Sequence, residues 1–374
     1  MVNEKLLSPT LNQHANNTFS IHTLTLFFNL TNHEYDKTFN LLLNYCDTHN
    51  IGHYKNPNST TTNTFSTFKV YKENGFNNFS LVIYNTLAYT TYGLTFTVNL
   101  RRLFKIQTYP FICIAPNELL CNTFSEIDHN LKSLGIDHLK AEDSTIKRLD
   151  LCTNFACNTL KEKELMMFLL KKGRYIFNSQ RATEYSNSSH RDIPTKNSFT
   201  LIGNTFEFSA YDKYKQLFES KYDYSQDELD LAQLQIRIEI RLDGRRINYL
   251  KKHGHYYILN DISEIGYKKY KSFIKNIYGL GDFYQYSHTA RIINESSYSL
   301  STKEQMIEII KNTSKTNLEL GLQTIKKKDQ SKYLNKFNHL NISPITIPRT
   351  IDIAFCHNPW SYIINNNVNE RLIN

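Results

Sequence analysis

Three short stretches of this 374-residue chain carry the side chains with chemical potential: Ile146 to Phe155 (IKRLDLCTNF), Thr205 to Lys213 (TFEFSAYDK) and Leu234 to Leu242 (LQIRIEIRL). Side chains alternate across a strand with period two. In the third stretch Leu234, Ile236, Ile238, Ile240 and Leu242 therefore share one face, and Gln235, Arg237, Glu239 and Arg241 the other. In the first, Arg148 and Asp150 lie opposite Leu149, Leu151 and Phe155; in the second, Glu207, Ser209, Tyr211 and Lys213 lie opposite Phe206, Phe208 and Ala210. The pattern predicts strands lying on a core, with carboxylates, a tyrosine and several cations on an open face.

A tyrosine at a strand end with a lysine two residues on, Tyr211 and Lys213, suits attack on a phosphodiester. A phenol has a pKa of about 10 and is a weak nucleophile at neutral pH, so nearby cations are needed to favour phenolate or to balance the charge growing on phosphate oxygens. Lys213, Arg237 and Arg241 could supply them. Asp150 and Glu239, from two strands, are the carboxylates suited to a hard divalent ion, magnesium or manganese. Taken singly, a strand tyrosine is usually packing and Arg-x-Glu on a sheet face is usually an ion-pair ladder. Their coincidence points to chemistry.

The surrounding sequence predicts an α+β fold: a central, mainly antiparallel sheet with helices on one face, in two similar intertwined lobes. Phe19 to Phe28 alternates as a strand, and Tyr35 to His49 puts Phe39, Leu42, Leu43 and Cys46 on one helical stripe. Asn56 to Thr67 is a polar, low-complexity loop; strands follow at Thr67 to Tyr71, Asn78 to Tyr84 and Gly93 to Leu100. Glu118 to Leu134 is helical and stops at Gly135, and Leu160 to Lys172 is helical with Gly173 as an expected left-handed cap. Ser198 to Ile202 and Thr205 to Lys213 form a hairpin across Gly203-Asn204. Glu264 to Tyr278 reads as a basic helix, and Ser301-Thr-Lys-Glu304 reads as a capping box opening another. Domain limits are expected at 1–260 for the catalytic part (core 67–255, with the strand-helix unit in front) and 261–374 for a helical, basic remainder serving DNA binding or packing.

A formal net charge of +9 makes a polyanion the leading partner. The 25 Tyr and 23 Phe accompany frequent Asn and Lys, as an AT-rich coding sequence would give, so they carry less weight. Six cysteines without a CxxC pair argue against a zinc site or a disulfide scaffold and for reduced, mostly buried thiols in a cytoplasmic protein. The first residues lack a secretory pattern and no run approaches the roughly 18 apolar residues of a membrane helix, so neither secretion nor a membrane partner is expected.

Arg148-Leu-Asp150-Leu, Tyr211-Asp-Lys213 and Arg237-Ile-Glu239, in that order, resemble the rolling-circle replication initiators of small plasmids (the Rep_trans type) and of filamentous phages (the gene II protein type). The resemblance covers roughly Gly93 to Gly254, with an echo in Ile345 to Arg349 (ITIPR). It implies a site-specific DNA endonuclease and strand transferase that nicks one origin strand through tyrosine, keeps the 5′ phosphate, leaves a 3′-OH primer and later rejoins the strand. Tyr211 becomes the nucleophile, Lys213 and Arg237 its neighbouring cations, and Asp150 and Glu239 the metal carboxylates. Arg148, Arg241, Arg101 and Arg102 are candidates for DNA contact. The implied partners are double-stranded origin DNA, its single-stranded product, and host helicase and polymerase, since no GxxxxGK[ST] motif is present. Tyr214 and Tyr185 are the next nucleophile candidates. A DNA-binding regulator without catalysis and a conjugative relaxase remain as alternatives. His253-Gly254-His255 could be a metal pair, but its glycine and the preceding lysines read better as a turn.

Overall fold

The computed structural model describes residues 20–55, 64–68, 76, 79–85, 90–103, 116–176, 179–181, 198–219, 225–252 and 267–364. His253, His255 and Tyr185 lie outside them. The strands of the large sheet are β1 Ser20–Leu30, β2 His53–Lys55, β3 Thr64–Phe68, β4 Phe79–Asn85, β5 Thr90–Asn99, β6 Thr145–Ala156, β7 Gln180–Arg181, β8 Ser198–Ile202, β9 Phe206–Asp212 and β10 Gln235–Asp243. Among the described residues they form one ten-stranded antiparallel sheet in the order β2-β3-β4-β5-β1-β6-β10-β9-β8-β7, and the fold is α+β. No helix among the described residues is long and apolar enough to cross a membrane.

By its contacts the chain divides into two compact units, and it passes between them more than once. One takes Phe19–Cys152 and Arg241–Glu264; the other takes Thr153–Ile240 and Ile265–Asn374. Residues from 265 onward thus belong with the Tyr211 segment rather than forming a unit of their own.

In the first unit, β1 pairs with β5 on one side and β6 on the other. Leu24, Leu26, Phe28, Phe96 and Val98 are buried, with Phe28, Phe76, Phe79 and Phe96 forming an aromatic cluster. Helix α1 (Asn32–Thr48) covers that face: Tyr35 meets Tyr92 and Phe39 meets Phe68 edge-on. Thr31 opens α1 with a full capping box through Glu34. Helix α2 is Leu100–Leu103 and α3 is Pro116–Ser133. Gly135, at φ +78°, ends α3 as the sequence predicts, with the Ile136 amide donating to the Leu131 carbonyl.

In the second unit, β8 and β9 pair as a hairpin, closed by the Gly203 amide donating to the Phe206 carbonyl, so the turn is centred one residue later than Gly203-Asn204. Helix α4 (Leu160–Leu170) buries Leu165, Met166, Leu169 and Leu170. Helices α5 (Lys213–Phe218) and α6 (Gln226–Ala232) follow β9, whereas α7 (Gly244–Lys252), after β10, belongs to the first unit. Helix α8 (Tyr267–Tyr278) packs its aromatic side on the hairpin: Phe273 meets Phe206 edge-on, and Tyr278 lies against Phe199 and Phe208. The Tyr270 hydroxyl donates to the Ile238 carbonyl. Strand β11 (Phe283–Tyr284), α9 (Tyr286–Glu295), α10 (Leu300–Lys315), α11 (Leu318–Leu322), α12 (Gln330–His339), β12 (Phe355–Cys356) and α13 (Pro359–Ile364) complete it, with Ile293, Met306, Ile309, Ile310, Leu318, Leu322 and Phe337 at its centre. Cys46, Cys152, Cys157 and Cys356 are buried thiols outside any disulfide; burial pushes Cys356 up to about 12 and Cys157 higher still.

Two local expectations are corrected. Gly173 does not adopt a left-handed conformation; a Cβ there would stand 2.7 Å from Ile277 Cγ2 and 2.8 Å from Tyr278 Cε1, so glycine lets α8 approach closely. Ser301 and Glu304 do not form the capping box, because extended Ser299 already opens α10 and carries Ser301 into the helix.

Candidate active site

The polar sides of the three chemical strands are buried rather than open. Asp150 is 1% exposed, Arg237 1%, Tyr211 4% and Glu239 4%. Alternation along β9 and β10 holds, but residues on both faces are largely buried, a circumstance that a period-two pattern cannot reveal.

In the second unit Tyr211 and Glu239 come together. The phenolic hydroxyl donates to Glu239 Oε2 at 3.1 Å, buried on both sides. Two residues along β10, Arg237 Nε donates to Asn154 Oδ1 at 2.7 Å. The Cys157 amide donates to the Leu234 carbonyl at 3.0 Å, so three residues forward on β10 match three residues back on β6, the antiparallel sense. Asn154 is a residue the sequence reading passed over. The same period-two alternation that selects Asp150 also selects Asn154, and its short amide beside a buried arginine was the available signal.

Lys213 departs from its expected place at the end of a strand. The strand ends at Asp212, whose side chain accepts from the Lys215 amide and caps α5, so Lys213 is the first residue of a helix. Its ammonium donates to Gln216 Oε1 at 2.6 Å and stands 6.0 Å from the centre of the Tyr211 ring, at the limit of a cation–π contact. Asp212 points to the apolar side of the sheet, as alternation requires, and pairs there with Lys163 at 2.7 Å. Lys163 also donates to the Gln233 carbonyl at 2.6 Å. Burial lowers its pKa, and pairing with Asp212 only partly opposes that. Tyr214, an alternative nucleophile, stacks on Phe218 with Lys163 over its ring.

In the first unit Asp150 is held between two arginines. Its Oδ1 accepts from Arg148 Nε at 2.8 Å and from Arg241 Nε at 3.3 Å, and its Oδ2 accepts from Arg148 Nη2. A β-bulge on β6 between the pairs Thr25–Arg148 and Leu26–Ile146 places Lys147 out of register, with its ammonium 4.6 Å from the Phe27 ring. Thr23 pairs with Asp150, and Thr25 pairs with Arg148 and shares a hydroxyl hydrogen bond of 2.9 Å with Thr97. Arg101 and Arg102 lie in α2.

Asp150 and Glu239 have the oxygen donors a hard divalent ion takes. Both oxygens of Asp150 already face guanidinium N–H groups, however, and among the described residues no three His, Cys, Asp or Glu side chains gather. The described side chains fit an ion in donor type and do not form a cage for one.

The arrangement provides a phenol whose proton faces a buried carboxylate, a guanidinium fixed two residues away and, in the other unit, a carboxylate neutralised by two arginines. Compared with known protein families and with curated proteins, the chain matches no family model and no curated protein.

Proposed function

We propose that this protein is a nicking and rejoining enzyme that initiates rolling-circle replication of a plasmid or phage, with Tyr211 as nucleophile. The observation that carries the proposal is the hydrogen bond from the Tyr211 hydroxyl to Glu239. Glu239 is placed to take the phenolic proton as the tyrosine oxygen bonds to phosphorus. The phosphorus bond to the 3′ oxygen breaks, that oxygen leaves as a 3′-OH, and the 5′ phosphate stays on Tyr211. Lys213 and Arg237 balance charge on the phosphate, while Arg148, Arg241, Arg101 and Arg102 contact the DNA backbone of the double-stranded origin and its single-stranded product. The proposed cofactor is magnesium or manganese, for which Asp150 in one unit and Glu239 in the other are each candidate carboxylates; when bound, such an ion would withdraw charge from the phosphate. Helicase and polymerase come from the host, and the cytoplasm is the proposed location.

The burial of Tyr211 favours one other reading, a DNA-binding regulator that keeps the fold without catalysis. Supercoiled DNA carrying the gene's own flanking region, incubated with manganese, separates the two. The enzyme yields nicked circles with protein on a 5′ end, and Tyr211→Phe abolishes both while still binding DNA. A Tyr211→Phe protein that still nicks overturns the assignment, and wild-type binding without cleavage under any divalent ion favours the regulator.

A further inference from the structure

Two concave patches lie where α9 begins, lined by none of the residues around Tyr211 or Asp150. The first, of about 330 Å³, is lined by Tyr286, Lys311, Ser314, Thr346, Pro348 and Arg349, among others. Thr346 is 2% exposed, and its hydroxyl has no hydrogen-bond partner among the described residues. A buried hydroxyl without a partner in a cavity wall is costly and calls for an acceptor from outside. Two cations stand at the same cavity. Arg349 lies over Tyr286, its guanidinium carbon 5.6 Å from the ring centre, and Lys311 has an exposed pairing with Glu308 at 3.6 Å, weak enough to be shared with an incoming anion.

The second patch, of about 390 Å³, presents rings. Tyr284 and His288 stack at 4.8 Å between centres, Phe355 stands 5.1 Å from Tyr284, and Arg291 Nη2 lies 3.1 Å from His288 Nδ1. Phe355 is 38% exposed, so its ring is open to a base from solvent. Tyr284 and Tyr286 are two residues apart and line the two patches in turn, and the Ile347 amide donates to the Tyr284 carbonyl at 2.9 Å, tying the walls together.

We propose that this surface is a binding groove for single-stranded nucleic acid. A backbone phosphate sits against Thr346, Lys311 and Arg349, and a neighbouring base lies on the Tyr284 and Phe355 rings. A phosphate oxygen supplies the acceptor that the Thr346 hydroxyl lacks, the cations neutralise it, and an unstacked base covers aromatic surface otherwise left to water. The stretch Ile345 to Arg349 thereby gains a role. The inference goes beyond the nicking reading, since none of these residues belongs to the Tyr211 or Asp150 constellation and binding needs no cleavage.

The test uses the full chain and a fluorescein-labelled oligothymidylate, with anisotropy measured over a range of salt. Lys311→Ala with Arg349→Ala should weaken binding and reduce the slope of log K on log salt by about 0.7, the value for one phosphate contact on a single strand. Phe355→Ala should weaken it about fivefold or more. Thr346→Val should weaken it while leaving the protein at least as stable, because the unpartnered hydroxyl is gone; this separates binding from folding. An oligonucleotide containing bromodeoxyuridine should crosslink at Tyr284 or Phe355. An unchanged salt slope in the double variant, with crosslinks only elsewhere, overturns the proposal. So does competition by thymidine monophosphate or inorganic phosphate at the oligonucleotide's own concentration, which would mark a site for a free nucleotide or phosphate.

Discussion

Replacing Asp150 by Asn tests the charge arrangement in the first unit through the sign of its effect on stability. In a bare cluster of carboxylates awaiting an ion, an amide relieves repulsion and stabilises the fold. Asp150 stands instead between Arg148 and Arg241 at hydrogen-bond distances of 2.8 and 3.3 Å. At an effective dielectric of about 20, each such contact is worth roughly 5–6 kcal/mol before desolvation. Breaking a buried pair by removing one partner costs about 3–5 kcal/mol. The Arg148 side chain is 32% exposed and regains some hydration, which places the loss near the lower end, about 3 kcal/mol. The new amide also turns an N–H₂ group toward guanidinium donors. For a unit of this size the midpoint of thermal unfolding should fall by roughly 6–12 °C, measured by circular dichroism in chelator at constant pH. Adding millimolar manganese extends the test: an ion held through Asp150 raises the wild-type midpoint by mass action and leaves the Asn variant unmoved. An Asn variant as stable as wild type, or more so, would refute the charge arrangement described for Asp150.

Two further outcomes follow from packing and burial. Gly173→Ala should destabilise by about 1–3 kcal/mol in urea denaturation, because its Cβ would press on Ile277 and Tyr278 of α8; a change within about 0.5 kcal/mol would show that α8 yields at no cost. Lys163 has its folded pKa below the ordinary lysine value, so in the window between the two the unfolded chain holds a proton that the folded chain has released. Wild-type stability, measured against Lys163→Met at each pH, should therefore rise as pH climbs through that window. A flat or falling difference would contradict burial as the dominant influence on Lys163.

Much of the fold is legible in the sequence because long alternating stretches leave little choice of face. The predicted strands at Phe19 to Phe28 and Gly93 to Leu100 are observed as Ser20–Leu30 and Thr90–Asn99, and the helix ending at Gly135 stops there. Local rules failed where tertiary packing competes with them. Gly173 has the sequence signature of a helix cap, yet its lack of a side chain serves the approach of a helix that comes much later in the chain. Lys213 continues an alternating pattern, but Asp212 has the hydrogen-bonding capacity to end the strand and cap a helix. At the site, alternation correctly grouped Arg237 with Glu239. It could not show that the polar face is buried, nor that Tyr211 meets Glu239 while Asp150 is taken up by arginines, because these depend on side-chain reach across strands.

The interleaving of the two units affects how the protein is made. Strands β8 and β9, which carry Tyr211, lay Phe199, Phe206 and Phe208 against α8, a helix synthesised only after the chain has left that unit and returned to it. On a translating ribosome the Tyr211 hairpin emerges with its aromatic side bare and waits for a distant segment to cover it. A chain stopped before α8 leaves those rings facing water. Proteolysis and aggregation then compete with folding for the unfinished half, so the tyrosine is held in place only in chains that have been read well past it.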